Sequence, residues 1–141
     1  MPHDAFTVAI GLRETIYRMF DSLASGRSPA ADDLTSFNAM LQAAPPRSQL
    51  RHEDGRFGWG IGPGEPSLPI LLAPVLWSAG DLIAGPRRAR VRRCGNPQCL
   101  YLFLDDSKSG TRRWCSMSSC GNRAKAHRHY IKHRQGGAGS S

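Results

Sequence analysis

The sequence of 141 residues lacks any long apolar run. Its most apolar stretch, residues 68–83, is interrupted by two prolines, a serine, a glycine and an aspartate. A membrane-spanning helix needs about 20 predominantly apolar residues, so none is predicted. The N-terminus also has no basic segment followed by an apolar one. We therefore expect a cytoplasmic protein rather than a secreted one.

The motifs of several common enzyme classes are missing as well. The sequence contains no His-Glu-x-x-His metal motif, no phosphate-binding P-loop and no Gly-x-Ser-x-Gly nucleophile turn. We therefore expect a protein that is not an enzyme. A catalytic pair assembled from distant residues is the alternative that one sequence leaves open.

Acidic residues are scarce in the C-terminal part, which the overall charge of +8 conceals. Residues 1–86 carry six basic and nine acidic residues, a net charge of −3. Residues 87–134 carry thirteen basic residues but only Asp105 and Asp106, a net charge of +11. Such a segment repels itself unless a polyanion neutralises it, so the charge favours nucleic-acid binding. An anionic membrane is disfavoured, because the basic helix predicted below has no Trp, Phe or Leu face to insert.

Cysteine is absent from the first 93 residues, and the four cysteines form the pattern C-x4-C-x15-C-x4-C. They are Cys94, Cys99, Cys115 and Cys120. Two close pairs of thiolates complete the tetrahedral shell of one structural Zn²⁺, which leaves no open position for catalysis. An iron–sulfur cluster is an alternative. Disulfides are disfavoured because they need an oxidising compartment. A redox role is disfavoured because redox cysteines usually form C-x-x-C pairs, which are absent here. We expect the cysteine module to unfold without its metal.

Apolar spacing predicts three helices before the cysteines. The first covers residues 8–23, and the second begins at a cap formed by Asp32 or Asp33. The third covers residues 68–83 and is the expected spine of this part, with a kink or a later start at Pro74.

A β-hairpin is predicted between the second and third helices, over residues 48–61. The pair Asp54-Gly55 is typical of a tight turn, and apolar residues flank it on both sides. This hairpin has one apolar face.

The cysteine module is predicted to contain a second hairpin and a helix. Residues 100–104 form a strand, residues 105–110 a polar turn and residues 111–114 the return strand. A serine at 116, 118 or 119 then caps a helix that runs to about residue 133, with Cys120 in its first turn. The whole chain is thus predicted as α+β: a small helical domain with a β-hairpin, followed by a treble-clef-like four-cysteine zinc finger of knuckle, β-hairpin and helix. Residues 87–93 form a basic link, and residues 135–141 a disordered tail.

The metal is expected to gather basic side chains from the link, the hairpin and the last helix into one surface that binds duplex DNA. The candidate nucleic-acid contacts are Lys108, Arg112, Arg113, Asn122, Arg123, Lys125, Arg128, His129 and Lys132. On that helix a face formed by residues 120, 124, 127 and 131 is expected to pack on the metal and hairpin. His129 and His133 lie four residues apart, but without a third ligand nearby we expect polar surface residues rather than a second metal site.

Two alternatives concern the same residues. Arg93, Arg113 and Arg123 stand close to cysteines and could serve only to offset the −2 charge of four thiolates on Zn²⁺. The cations also suit RNA, for which Tyr101, Phe103 and Trp114 would stack on unpaired bases unless they fill the core of the finger.

The cysteine module resembles a known family. The stretches that carry the resemblance are Arg90-Val-Arg-Arg-Cys-Gly-Asn-Pro-Gln-Cys, Phe103-Leu-Asp-Asp and Arg112-Arg-Trp-Cys-Ser-Met-Ser-Ser-Cys-Gly-Asn-Arg-Ala-Lys. They resemble the CGNR zinc-finger family, whose defining tetrapeptide stands at residues 120–123. Residues 10–90 more weakly resemble the second part of the ABATE domain, which precedes this finger in bacterial stress-induced transcriptional regulators.

The resemblance implies zinc bound by the four cysteines and a role in binding DNA. Members of the family normally open with a segment that carries an Asp-x-x-Asn-Thr-like motif, for which this sequence has no counterpart. We therefore expect a partial ABATE-like domain over residues 1–86, in a truncated member or a fragment, with the link and finger over residues 87–134. A further hypothesis is that residues 1–86 form a homodimerisation domain or a small-molecule sensor. In the sensor, Trp59 or Trp77 would line the ligand pocket; the alternative is that these tryptophans pack in the core.

Overall fold

The computed structural model describes residues 2–137 and the side chains of residues 4–132. In chain order its elements are α1 (Pro2–Ala24), α2 (Ala31–Ala43), β1 (Gln49–Glu53), β2 (Arg56–Gly60), α3 (Leu68–Ala84), a 3-10 helix (Pro86–Arg90), β3 (Val91–Arg93), β4 (Leu102–Leu104), a π-helical turn (Met117–Gly121) and α4 (Asn122–Gly137). The α+β fold class is therefore confirmed: a helical domain with a hairpin precedes a small cysteine-containing finger. No helix within residues 2–137 combines the length and apolar character that a bilayer crossing requires.

The helical domain is built on a core shared by α1, α2 and α3. Leu12 and Met19 of α1, Phe37 of α2, and Leu76 and Ala79 of α3 form one buried cluster. Burying each of the larger side chains contributes about 1.5–3 kcal/mol, which explains why apolar spacing locates these helices. The first helix begins at Pro2, earlier than predicted; Phe6 in its early part is 65% exposed, so it adds no core position to the apolar pattern.

One predicted detail of these helices is wrong. Neither Asp32 nor Asp33 caps α2: the cap position is Ala30, which makes no side-chain cap hydrogen bond. Both carboxylates lie instead in the first turn, where the helix dipole favours them. The helix α3 starts at Leu68, as predicted, and contains Pro74 in its interior, so of the two alternatives at this proline the later start does not occur.

The predicted hairpin is confirmed as the antiparallel pair β1–β2. Asp54 and Gly55 form its turn, with φ angles of 50° and 74°, and glycine adopts such positive angles without strain. Leu50 lies opposite Trp59, and His52 opposite Phe57. Leu50, Phe57 and Trp59 are nevertheless all exposed, so this apolar face does not join the helical core.

The hairpin of the finger differs from the prediction. The strand β4 pairs with β3, which comes from the supposed link, and residues 111–114 form no strand. The link is therefore part of the fold, and Val91 within it is buried. The turn does not return as a strand because the buried Asp105 carboxylate accepts hydrogen bonds from the Ser107 amide at 3.0 Å and the Arg112 amide at 3.1 Å. A hydrogen bond from the Ser107 hydroxyl lowers the pKa of Asp105, and the two amide bonds lower it further.

The last helix starts as predicted but continues further. The Ser116 hydroxyl accepts a hydrogen bond from the Ser118 amide at 3.2 Å and so caps the π-helical turn that contains Cys120. The helix α4 then continues to Gly137. Residues 135–137 of the predicted tail are therefore helical, and residues 138–141 lie outside the described part of the chain.

The finger docks directly on α1. The Tyr17 hydroxyl donates a hydrogen bond of 2.6 Å to the Leu100 carbonyl, which lies between the second cysteine and β4. The Arg93 guanidinium binds the Asp21 carboxylate at 2.9 Å and the Ser25 hydroxyl at 3.0 Å. Because these contacts join α1 and the residue that follows it to β3 and to the segment before β4, they orient the finger on the helical domain.

Candidate metal centre and basic surface

The four cysteines predicted as metal ligands converge. Their Sγ atoms all lie within 4.8 Å of one another, and all four thiols are free. The Cys115 Sγ is 3.7 Å from the Sγ of both Cys99 and Cys120. These separations are far longer than a disulfide bond of about 2.05 Å. They are close, however, to the S–S distance of about 3.8 Å along the edge of a tetrahedron with Zn–S bonds of about 2.3 Å.

Local structure fixes each cysteine in place. Cys94 follows β3, and its amide donates to the Tyr101 carbonyl at 2.9 Å, which closes the knuckle before β4. The Cys99 amide donates to the Asn96 carbonyl at 3.0 Å inside the knuckle. Cys115 is held from outside, because the Arg112 guanidinium binds its carbonyl oxygen and that of Trp114.

Two hydrogen bonds are donated to sulfur atoms within the site. The Cys115 amide donates to the Cys94 Sγ at 3.4 Å, and the Asn96 side-chain amide donates to the Cys120 Sγ at 3.7 Å. Burial opposes ionisation of Cys94, but hydrogen bonds from the amides of Cys115 and Asn96 outweigh it and lower its pKa to about 7. Burial and the neighbouring sulfurs instead raise the pKa of Cys115 to about 12. Four sulfurs this close cannot all ionise unless a cation stabilises them, so the donor set fits a soft divalent metal.

Two glycines beside the metal centre allow the backbone to approach the indole ring of Trp114 closely. A Cβ atom on Gly95 would lie 3.0 Å from the Arg113 carbonyl oxygen and 3.1 Å from the Trp114 ring. A Cβ atom on Gly121 would meet the Met117 sulfur and lie 3.2 Å from the same ring. Each glycine directly follows a ligand, so each permits a close approach that any larger residue would obstruct.

The basic side chains of the finger fall into two groups. Some are engaged within the protein: Arg87 binds Asp106, Arg93 binds Asp21, and Arg112 binds backbone carbonyls and lies 4.5 Å from the Phe103 ring. Others have no ion pair or hydrogen bond with the described residues. Among the predicted contacts, the basic members of this second group are Lys108, Arg123, Lys125, Arg128 and Lys132, and the Asn122 side chain likewise has no partner among the described residues.

The helix α4 presents most of this second group to solvent. Beyond Ala124 no side chain of α4 is buried as far as Lys132, the last one described. His127 and Ile131 are therefore exposed, and the prediction that they pack on the metal and hairpin is wrong. His129 lies on the same exposed helix, and the side chain of His133 is outside the described ones. The basic surface is thus an uncovered helix, with Lys108 as an exposed residue of the loop before it.

The arginines near the cysteines do not neutralise the thiolates by direct hydrogen bonds. Arg93 is engaged with α1, the Arg113 guanidinium lies 5.1 Å from the Trp114 ring centre, and Arg123 has no partner among the described residues. Trp114 and Phe103 are half-buried beneath arginines, whereas Tyr101 is 70% exposed.

Sequence reasoning found all four sulfur positions but missed two residues around them. Asn96 supports the Cys120 sulfur, and its Oδ1 accepts the Gln98 amide at 3.0 Å. An Asn-Pro pair between two cysteines is a turn signal that could have revealed it. Tyr17 was missed because nothing local in α1 marks a residue that bonds the chain 83 residues away.

The four-thiol site on a scaffold of knuckle, hairpin and helix is that of a zinc-finger protein. Residues 90–133 match the model of the CGNR zinc finger. Residues 2–86, more than half of the chain, match the ABATE model, described as "Putative stress-induced transcription regulator". The chain therefore belongs to the ABATE family and carries a CGNR zinc finger, which confirms the resemblance found in the sequence. A comparison with curated proteins finds no match.

Proposed function

We propose that this protein is a bacterial transcription regulator that binds duplex DNA through its finger, with one structural Zn²⁺ on Cys94, Cys99, Cys115 and Cys120. The observation that carries the proposal is the exposed helix α4 beside a metal-type site: its described cations Arg123, Lys125, Arg128 and Lys132 have no ion pair or hydrogen bond with the described residues. A duplex presents closely spaced phosphates, and lysine and arginine side chains that displace their counterions gain affinity.

The metal has a structural role in this proposal. All four ligands come from the protein, so the centre serves to hold the hairpin and α4 together rather than to activate water. Elemental analysis of the purified chain is expected to give one zinc per chain, and Cys115→Ser is expected to lose both the metal and the structure of the finger.

The salt dependence of duplex binding tests the DNA proposal. Each phosphate contact contributes a slope of about −0.9 to log K against log salt, so six contacts predict a slope of about −5. The six cations are Lys108, Arg113, Arg123, Lys125, Arg128 and Lys132. Fluorescence anisotropy with a labelled duplex between about 50 and 200 mM salt measures the slope. A slope near zero would refute the proposal.

A matched pair of variants distinguishes a specific contribution of the α4 surface to DNA binding from an effect of net charge alone. Replacing Lys125, Arg128 and Lys132 with Gln is expected to make the slope shallower by about 2 to 3. Replacing Arg13, Arg27 and Arg56 of the helical domain with Gln removes the same charge and is expected to leave the slope almost unchanged. Equal effects of the two triple variants would contradict a specific role for α4.

RNA is the competing ligand, and one observation favours it. Tyr101 is exposed beside the basic finger, where its ring is available to stack on an unpaired base. Competition between single-stranded RNA and duplex DNA at one salt concentration decides between them. We expect the duplex to compete more strongly; preferential displacement by RNA would replace the DNA proposal.

A further inference from the structure

A cavity of about 490 Å³ lies between the knuckle and the first turns of α4. Its volume is within the range of about 300–1,000 Å³ that is usual for small-molecule sites. It lies beside the metal centre, since Cys120 forms part of the wall, together with the knuckle residue Asn96 and the indole of Trp114. The walls are therefore held by the same bonds that shape the metal site.

The charged side chains that line this cavity are all cationic. Arg113, Arg123 and Arg128 line it, and no carboxylate does. The two acidic residues of the C-terminal part are occupied elsewhere: Asp105 by backbone amides of its own loop, and Asp106 by Arg87.

None of the three arginines is satisfied within the described part of the chain. Arg123 and Arg128 form no ion pair or hydrogen bond there, and Arg113 contacts only the face of the Trp114 ring. A zinc ion with four thiolates would contribute −2 nearby, so three guanidinium groups still leave an excess of positive charge.

We infer that this cavity is a phosphoryl-binding pocket, which takes one phosphate together with part of the group that carries it. Guanidinium groups bind phosphate oxygens through paired, charge-assisted hydrogen bonds. The cavity offers more room than a bare phosphate needs, and its apolar wall is the ring of Trp114 and the knuckle proline. The phosphate can come from a free nucleotide or from the nucleic-acid backbone, and only the second source rests on the proposed function.

Calorimetric titration of the zinc-loaded full chain tests the pocket. The probes are adenosine 5′-monophosphate, adenosine, inorganic phosphate and a short duplex. The pocket variant carries Arg123→Gln and Arg128→Gln. The matched variant carries Lys125→Gln and Lys132→Gln, which remove the same charge from α4 outside the cavity. Zinc content and circular dichroism confirm that both variants fold.

If a free nucleotide is the ligand, we expect the chain to bind the monophosphate at least tenfold tighter than adenosine. We also expect the pocket variant to bind the monophosphate at least tenfold more weakly than the matched variant does. If the pocket instead takes a backbone phosphate, the duplex alone distinguishes the two variants, by a similar factor. Equal effects of both variants on every probe would overturn the inference.

The outcomes also separate this inference from the proposed function. Monophosphate binding without duplex binding would leave the pocket standing and remove the DNA proposal. Duplex binding weakened equally by both variants, without monophosphate binding, would leave DNA binding standing and remove the pocket.

Discussion

Removal of the metal is expected to destabilise the helical domain as well as the finger. The finger hairpin flanks the first two ligands and packs on α1, so its unfolding breaks contacts that α1 makes. The most direct is the hydrogen bond from the Tyr17 hydroxyl to the Leu100 carbonyl. The effect can be estimated contact by contact.

Burial of Val91 contributes about 1.5–3 kcal/mol. The Tyr17 hydrogen bond adds about 1 kcal/mol, and the partly exposed Arg93–Asp21 pair adds about 0.5 kcal/mol. The total is about 3–4.5 kcal/mol. For a domain of this size 1 kcal/mol corresponds to about 4–8 °C in Tm, so the helical domain is expected to melt at least about 12 °C lower without metal.

Thermal melts followed by circular dichroism at 222 nm, with zinc or with excess chelator, measure this shift. Tyr17→Phe supplies the internal control, because it removes the hydroxyl and keeps the ring. It is expected to lower Tm by about 4–8 °C in the zinc-loaded chain and to have almost no effect in the metal-free chain. An unchanged helical transition after chelation, or an equal effect of Tyr17→Phe in both states, would refute the coupling.

Three further substitutions have expected outcomes. Gly95→Ala places a methyl group against the Arg113 carbonyl and is expected to destabilise the finger by about 1–3 kcal/mol, measured as weaker zinc retention against a competing chelator. Gly80→Ala, by contrast, meets open space inside α3 and is expected to raise the free energy of unfolding by about 0.5–1 kcal/mol; a loss of stability in urea unfolding would contradict this. Asp105→Asn is expected to lower Tm at pH 7 more than Asp106→Asn does. The pKa of Asp105 is lowered by its hydrogen bonds, so its carboxylate stabilises the fold fully at pH 7, and this contribution would disappear only on acidification below about 4. Similar Tm values for the two Asp variants would contradict that role.

The fold was predictable from sequence where local patterns and tertiary packing agree. The apolar spacing around Leu12 and Met19 located α1, and the Asp54-Gly55 turn located the first hairpin. The partner of β4 was not predictable in this way. The choice between β3 and residues 111–114 depends on Asp105, whose side chain binds amides of its own loop and removes that segment from strand pairing.

The candidate site was predictable in its ligands but not in its surroundings. Cysteine spacing was sufficient to predict that the four sulfurs converge, because two close pairs separated by a hairpin-length spacer leave few other arrangements. The division of the basic residues into those bound within the protein and those free to bind a ligand depends on tertiary contacts. Arg112 and Arg123 both stand near cysteines in the sequence, yet the first binds backbone carbonyls and the second lines an open cavity.

The segment that connects the helical domain to the finger is almost entirely in regular secondary structure. The 3-10 helix begins at Pro86, two residues after α3 ends, and β3 follows it without a gap. In any pair of copies joined through their helical domains, the distance between the two α4 helices would be set by the protein alone. If the fingers bind DNA as proposed, such a pair would accept two half-sites at one separation and reject the same half-sites moved apart by a few base pairs.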